Sequence, residues 1–224
     1  MLQPSYYFSF QDTPIATLFQ DCICVWDALK NLSIYLKNQD LGKIEVSISE
    51  GVFLENPELI SIGEGTILEP GVYIKGPALI GKNCEIRHGA YLRENVILCD
   101  GAVVGHDSEI KNSILFPRAH AAHFNYVGDS ILGSDTNLGA GVICANFRLD
   151  HREIRVEIEG EKIGTGLTKF GLILGDHSQI GCNSVTNPGT MIGKNVFCHP
   201  CINVGGVIPS SSKIKSQKTY IVEA

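Results

Sequence analysis

Residues 62–110 decide the fold, and in blocks of six they read IGEGTI LEPGVY IKGPAL IGKNCE IRHGAY LRENVI LCDGAV VGHDSE I. Every block opens with an aliphatic residue, namely Ile62, Leu68, Ile74, Ile80, Ile86, Leu92, Leu98, Val104 and Ile110. Small residues tend to follow four places later, as at Ala78, Cys84 and Ala90. A strict period of six predicts a parallel β-helix, in which each block is a short strand and a turn and three blocks close one triangular coil. Stacked coils then bury their aliphatic residues in a narrow prism.

The repeat returns at Leu132 and again from Leu174 to Val204, but it fails between residues 112 and 131. That segment contains His120–Asp129, with the sequence HAAHFNYVGD, which places polar residues where the repeat would place small or apolar ones. We interpret it as an interruption of a rigid scaffold that carries the chemistry.

A second segment outside the repeat runs from about residue 146 to 172. Polar and apolar residues alternate in it up to a turn at Gly160, which predicts a β-ribbon or loop that projects from the prism. We expect this insertion to be locally basic because it contains Arg148, Arg152, Arg155, Lys162 and Lys169. The alternative is a solvated hairpin of mixed charge.

The termini do not follow the repeat. Thr13 followed by Pro14 is typical of a helix start, and apolar residues then recur at helical spacing, at Val25, Leu29, Leu32 and Leu36. We therefore expect a helical segment at residues 1–45, packed on the prism or on a neighbouring subunit. The β-helix domain is expected at 46–208, followed by a partly disordered tail at 209–224.

Composition restricts the class of protein. The 224-residue chain has a formal net charge of −6 and no basic arm or aromatic-plus-basic stripe, so nucleic acid is not an expected partner. No signal peptide and no apolar run of membrane-spanning length is evident, so we expect no membrane association, a cytoplasmic location and reduced cysteines. Cys198 and Cys201 form a single CxxC motif, which is a weak indication of a metal site, and we expect no metal.

Three motifs carry a resemblance to a known family. The segments His123–Ser130, Asn137–Gly141 and Cys144–Arg148 closely resemble the acetyltransferase half of bifunctional sugar-1-phosphate nucleotidylyltransferase/acetyltransferases. The resemblance covers roughly residues 24–206, and the archaeal type is closer because it shares the insertion after Asn146. The resemblance implies a left-handed β-helix, acetyl-CoA as co-substrate and a homotrimer with sites between the prisms. Because no nucleotidylyltransferase signature precedes residue 40, uridylyl transfer is not predicted.

The resemblance also implies roles for individual residues. It implies a catalytic base at His123. It implies contacts to the substrate's phosphate and sugar at Arg93, Lys111, Tyr126, Asn137 and Arg152, and contacts to acetyl-CoA at Ala140, Asn146, Phe147 and Cys182. Three positions depart from the family pattern: Phe147 replaces a frequent Tyr, Arg152 a Lys and Cys182 a Ser.

Residue chemistry fits these roles. A histidine suits the base of N-acetyl transfer because its unperturbed pKa, about 6.5, lies near neutrality. Arg93 and Lys111 each follow an inward aliphatic residue and are one coil apart, so we expect them to stack on one outer face. Two stacked cations would repel each other unless an anion such as a sugar phosphate lies between them. The alternative is two ordinary surface cations.

The sequence therefore predicts an acetyl-CoA-dependent N-acetyltransferase that acts on an amino-sugar 1-phosphate. Glucosamine 1-phosphate is the first candidate acceptor, with the product supplying UDP-N-acetylglucosamine synthesis. Two alternatives stay open. The enzyme could act on another amino sugar or a nucleotide sugar, or with a longer acyl group. The chain could instead be a non-catalytic trimeric scaffold for a separate sugar nucleotidylyltransferase.

Overall fold

The computed structural model describes residues 1–10 and 13–216, and it confirms an all-β, left-handed parallel β-helix. Helices α1 (Pro4–Tyr7) and α2 (Asp27–Lys37) lie at the N-terminus, with short 3-10 helices at Ala16–Phe19 and Pro57–Leu59. The strands that follow are β1 (Phe53–Glu55), β2 (Ile60–Ile62), β3 (Ile67–Leu68), β4 (Tyr73–Lys75), β5 (Ala78–Ile80), β6 (Glu85–Ile86), β7 (Tyr91–Leu92), β8 (Val96–Leu98), β9 (Val103–His106), β10 (Glu109–Lys111), β11 (Ser113–Leu115), β12 (His120–His123), β13 (Tyr126–Gly128), β14 (Ile131–Leu132), β15 (Asn137–Leu138), β16 (Ile143–Cys144), β17 (Arg155–Ile158), β18 (Glu161–Gly164), β19 (Leu172–Leu174), β20 (Gln179–Ile180), β21 (Val185–Thr186), β22 (Thr190–Ile192), β23 (Phe197–Cys198), β24 (Asn203–Val204), β25 (Val207–Ile208) and β26 (Lys213–Ile214).

Three parallel sheets form the walls of the prism. In order along the prism axis, sheet A contains β2, β5, β8, β11, β14, β19, β22 and β25. Sheet B contains β1, β4, β7, β10, β13, β16, β21 and β24, and sheet C contains β3, β6, β9, β12, β15, β20, β23 and β26. The residues that open the six-residue blocks are buried in one continuous core, as the period of six predicts.

The predicted interruption at residues 112–131 is wrong. The prism continues through this segment, with Leu115, Ala121 and Val127 buried in the core. Ile110 lies opposite Leu92 on one side and Val127 on the other, so the coil from 110 to 127 is one residue shorter than the coil before it. A residue is missing at a corner that leaves sheet B, and this deletion shifts the register without breaking the wall.

The N-terminal segment packs on the main body, which was one of the two predicted arrangements. Leu29 and Leu32 of α2 lie in a second apolar cluster together with the outward-facing Ile97 and Ile114 of sheet A. The ring of Phe8 stacks on Phe116 at a centroid distance of 4.7 Å. The predicted helix start at Thr13 and Pro14 is wrong, because a turn occupies this position and the 3-10 helix begins only at Ala16.

The insertion contains the predicted hairpin, in which β17 pairs antiparallel with β18. It does not project into solvent, because Ile154 and Val156 are buried in the same apolar cluster as Met191 of sheet A. The expected basic character is also wrong. The five cations are matched by five carboxylates, Asp150, Glu153, Glu157, Glu159 and Glu161.

The tail boundary requires a correction. Lys213 and Ile214 pair with Phe197 and Cys198 in sheet C, so the prism continues past residue 208. The remainder of the predicted tail, residues 217–224, lies outside the described residues. Within the described part of the chain, none of the helices has the length and apolar character needed to cross a membrane.

Candidate active site on sheet B and its corner with sheet C

The outer face of sheet B carries the predicted phosphate-binding cations. The register of β7 and β10 places Arg93 beside Lys111 on adjacent coils, as predicted. Each cation already has a carboxylate partner, however. The Arg93 guanidinium lies 3.0 Å from Glu109, and the Lys111 ammonium lies 3.1 Å from Asp129. The predicted repulsion between these cations in the absence of a bound anion is therefore wrong, although both lie on the same outer face.

Asp129 lies at the corner where sheet B leads into sheet A, directly after β13. Its carboxylate is nearly buried and accepts hydrogen bonds from Lys111 Nζ at 3.1 Å, from Asn112 Nδ2 at 2.9 Å and from Asn146 Nδ2 at 2.6 Å. The same amide group of Asn146 donates to the Tyr126 hydroxyl at 3.2 Å. Three residues that were predicted separately are thus brought together around one carboxylate that was not predicted.

The pKa of Tyr126 is raised above its usual value. Partial burial is the main cause, and the hydrogen bond from Asn146 acts in the opposite direction. The negative charges of Glu109 and Asp129 raise it further, while Arg93 lowers it. The phenol therefore stays protonated at neutral pH and can donate a hydrogen bond to a ligand.

His123 lies at the corner between sheets C and B. It ends β12, its side chain is exposed, and Gly141 of the next coil donates a backbone hydrogen bond to its carbonyl. Within the described part of the chain the imidazole makes no hydrogen bond, and its one ring contact is with Phe124 at 6.5 Å. Both ring nitrogens are therefore available to a substrate.

Phe124 has an unusual backbone conformation beside the predicted base. Its φ is 52°, and its aromatic ring is 53% exposed. The stacked corner positions in other coils are occupied by residues suited to this left-handed conformation, such as Gly89 and Gly141. A large exposed side chain in a strained conformation is typical of functional sites.

The other predicted contacts lie on two further surfaces. Asn137 and Cys182 line a groove on the outer face of sheet C together with Phe197 and Pro200. Ala140 precedes the corner residue Gly141, and its carbonyl accepts the backbone N–H of Asn183. One chain thus brings Arg93, Lys111, Tyr126 and Asn146 together, but it places Asn137 and Cys182 on a different wall of the prism.

The insertion positions the last two predicted residues. Arg152 lines a surface cavity together with Arg148, Arg155 and Lys162, separate from the cluster around Asp129. Phe147 is 40% exposed and contacts the ring of His151 edge-on at 4.9 Å. Within the described part of the chain, neither residue has a hydrogen bond, ion pair or ring contact with Lys111 or Tyr126, so their predicted roles at the substrate and at acetyl-CoA stay predictions.

The CxxC motif is divided by the fold. Cys198 is buried in the prism, whereas Cys201 is exposed at the corner. Across residues 1–10 and 13–216, no three His, Cys, Asp or Glu side chains are grouped as metal ligands would be. The expectation that no metal is needed stays a prediction.

Comparison with known proteins places the chain in a family. Residues 74–163 match the family described as GMPPB C-terminal domain, and residues 171–197 match the hexapeptide repeat of succinyl-transferase. The bifunctional sugar-1-phosphate nucleotidylyltransferase/acetyltransferase of Sulfurisphaera tokodaii is 36% identical over 59% of this chain and 38% of its own length. The bifunctional protein GlmU of Methanococcus vannielii is 36% identical over 76% of this chain and 40% of its own length.

The chain therefore spans well under half the length of these two bifunctional relatives. A relative of more similar size is the uncharacterized acetyltransferase YaiX of Escherichia coli O6:K15:H31, which is 32% identical over 82% of this chain and 80% of its own length. The two family matches, at residues 74–163 and 171–197, include His123 and the motifs around it. The chain belongs to the hexapeptide-repeat acetyltransferase family, and it corresponds to the acetyltransferase part of the bifunctional sugar-1-phosphate nucleotidylyltransferase/acetyltransferases.

Proposed function

We propose that the protein is an acetyl-CoA-dependent N-acetyltransferase whose acceptor is an amino-sugar 1-phosphate, with glucosamine 1-phosphate as the first candidate. The observation that supports this most is the cluster on sheet B, where Lys111, Tyr126 and Asn146 surround one buried carboxylate. His123 ends the strand just before Tyr126, at the same edge of the wall. The imidazole lies at the corner before β13 and the cluster around Asp129 lies at the corner after it, so the two flank the strand that carries Tyr126.

The reaction forms one bond and breaks one. The unprotonated amine of the sugar attacks the thioester carbonyl of acetyl-CoA, and a new C–N bond forms. His123 accepts the proton that the amine loses, the C–S bond breaks, and coenzyme A leaves as the thiolate, which takes up a proton. Arg93 and Lys111 hold the sugar's phosphate, and Tyr126 orients the sugar ring.

We further propose that the working form is a homotrimer. Asn137 and Cys182 face away from the cluster around Asp129 in one chain, so these two surfaces can contact one ligand only if different copies contribute them. A site between two prisms would combine the sheet B face of one copy with the sheet C groove of its neighbour.

The test is release of free thiol from acetyl-CoA in the presence of glucosamine 1-phosphate. We expect turnover with the wild type and a loss of about 10²- to 10⁴-fold in kcat for His123→Ala, the range typical of a lost general base. His120→Ala is the matched control, because His120 lies on the same strand and has no assigned role. It should retain wild-type activity.

Two results would contradict the proposal. Equal thiol release by the wild type and by His123→Ala would exclude His123 as the base. Absence of thiol release, together with co-purification of a sugar nucleotidylyltransferase, would favour the scaffold alternative. A panel of other amino sugars, nucleotide sugars and longer acyl-CoAs identifies the acceptor and the acyl group.

A further inference from the structure

Asp129, which sequence reasoning did not assign to this site, is buried and held by backbone hydrogen bonds on both sides. It is 4% exposed, and its backbone N–H donates to the Lys111 carbonyl at 2.9 Å. Its own carbonyl accepts the N–H of Gly171, also at 2.9 Å. The residue has a left-handed backbone with φ 47°, a conformation that costs energy outside glycine. These backbone hydrogen bonds and the corner conformation fix the place from which the carboxylate reaches its neighbours.

The carboxylate determines which way its neighbours' hydrogen-bonding groups point. An ionised carboxylate only accepts hydrogen bonds, so the Asn146 side chain must turn its amide N–H₂ group toward Asp129. The same N–H₂ group also donates to the Tyr126 oxygen. The Asn146 amide oxygen is then left without a hydrogen bond in the described part of the chain, and the Tyr126 proton is free to point outward.

We propose that Asp129 is a positioning residue that fixes the hydrogen-bond direction of the whole site. Through it, Lys111 presents N–H donors, Tyr126 presents a hydroxyl donor and Asn146 presents a carbonyl acceptor. Asp129 itself touches no ligand. This inference rests on the proposed function, and it deepens it by linking the phosphate end of the site to the acetyl-CoA end.

The arrangement defines what a ligand must offer. It needs an anionic group such as a phosphate at Lys111 and an oxygen acceptor such as a sugar hydroxyl at Tyr126. At Asn146 it needs an N–H donor, which the pantetheine amides of acetyl-CoA carry. Without the Asp129 carboxylate, the directions of Asn146 and Tyr126 are no longer fixed, and Lys111 loses its ion-pair partner.

The test is Asp129→Asn, which keeps the shape of the side chain and removes its charge. An amide at this position must direct its N–H₂ group either at Asn112, which donates to Oδ1, or at Lys111 and Asn146, which both donate to Oδ2, so at least one donor loses its acceptor. We expect the KM for acetyl-CoA and the KM for glucosamine 1-phosphate each to rise roughly tenfold or more. Asp135→Asn is the matched control, because Asp135 is also a left-handed corner residue that pairs with a cation, Arg118. It should leave both constants unchanged.

Double-mutant cycles separate positioning from a merely structural role. The rise that Asp129→Asn causes in the KM for acetyl-CoA should vanish in an Asn146→Ala background. The rise that it causes in the KM for glucosamine 1-phosphate should vanish in a Lys111→Ala background. Should Asp129→Asn not fold, the cycle between Lys111→Ala and Asn146→Ala replaces it, and it should be non-additive because both residues bind Asp129. Additive effects in these cycles would overturn the inference.

Failure of this inference is distinguishable from failure of the proposed function. If the wild type turns over its substrates but the double-mutant cycles are additive, the N-acetyltransferase proposal stands and Asp129 has no positioning role. If the wild type shows no turnover, the same cycles are measured as affinities for acetyl-CoA and inorganic phosphate by calorimetry. A wild type that binds neither probe overturns both proposals.

Discussion

Sheets A and B are built from the same six-residue unit, yet their outward-facing residues differ in character. In sheet A the cross-strand register aligns Leu79, Ile97, Ile114, Ile131, Ile173 and Met191 into one apolar column. In sheet B the corresponding register aligns Tyr73, Tyr91, Glu109 and Tyr126, with Lys75, Arg93 and Lys111 in a parallel column. The first column is covered by α2 and the insertion, and the second is open.

The difference shows what each position in the repeat determines. Inward residues fix the prism, and they are aliphatic or small in every wall because the space is the same. Outward residues decide whether a wall is covered or available to ligands. One scaffold therefore supports a second core on sheet A and a candidate active site on sheet B.

The largest expected effect comes from placing a charge on each wall. Ile114→Asp in sheet A would bury an unpaired carboxylate, and we expect a loss of on the order of 4 kcal/mol or more in the free energy of unfolding. Ile143→Asp in sheet B is the matched control, because Ile143 is also an outward isoleucine but is 38% exposed. Its cost should stay within about 1 kcal/mol. Chemical denaturation measures both, and equal losses would show that sheet B is covered too.

The next effect tests the cation column of sheet B. Lys111→Ala removes the better-buried cation, and we expect the KM for glucosamine 1-phosphate to rise about 10- to 100-fold, the range for a hydrogen bond to a charged group. Lys75→Ala is the control, since Lys75 lies in the same column, pairs with Glu55 at 3.2 Å and has no assigned role. Steady-state kinetics compare the two. A similar rise for both variants would mean that the column binds anions without a defined site.

A smaller effect concerns the prism interior that all three walls share. Burial raises the pKa of the Cys84 thiol from 9.0 to about 11 and that of Cys144 to about 12. The pKa of each thiol is higher in the folded than in the unfolded protein. The free energy of unfolding is therefore at its full value below pH 9, and it falls as the pH rises from 9 toward the folded pKa. The shift in pKa corresponds to about 3 kcal/mol for Cys84 and about 4 kcal/mol for Cys144. Denaturation at several alkaline pH values should show Cys84→Ala losing stability less steeply than the wild type, and parallel curves would contradict the prediction.

The smallest effect distinguishes the sheet C groove from the interior. Cys182 and Cys201 are exposed, so a thiol reagent should label both in the native protein while Cys84, Cys99 and Cys144 stay protected. Because Cys182 lines the groove and is a predicted acetyl-CoA contact, acetyl-CoA should slow its labelling a few-fold, with Cys201 as the internal control. Mass spectrometry of the labelled peptides measures these rates. Unchanged labelling of Cys182 at saturating acetyl-CoA would remove it from the site.

The sequence predicts the inward side of the prism well, because the period of six follows directly from strand and corner geometry. One corner residue is missing between Ile110 and Leu115, so every inward position after it lies one residue earlier than a strict period of six predicts. This shift conceals the inward residues Leu115, Ala121 and Val127 in the sequence. The sequence also indicates the apolar column of sheet A, because Ile97 and Ile114 each directly precede an inward leucine and therefore point outward. The sequence alone does not predict that this column is covered, because an apolar outward residue indicates cover only once the element that covers it is known.

The candidate site was predicted only in part, for a related reason. The register places Gly128 directly beside Lys111, and Asp129 is the corner residue that follows Gly128 and pairs with the Lys111 ammonium. Pairing each cation with the carboxylate in the next coil would have identified Asp129 and Glu109. The separation of Asn137 and Cys182 from this cluster could not be inferred from motif order, because neighbouring motifs in the chain lie on different walls.

The most direct test of the central claim is a crystal structure with acetyl-CoA and glucosamine 1-phosphate bound. The account predicts the phosphate at Arg93 and Lys111 on sheet B, with the acceptor amine and the thioester both in contact range of His123. A phosphate bound in the insertion cavity near Arg152 alone, with the thioester far from His123, would contradict it.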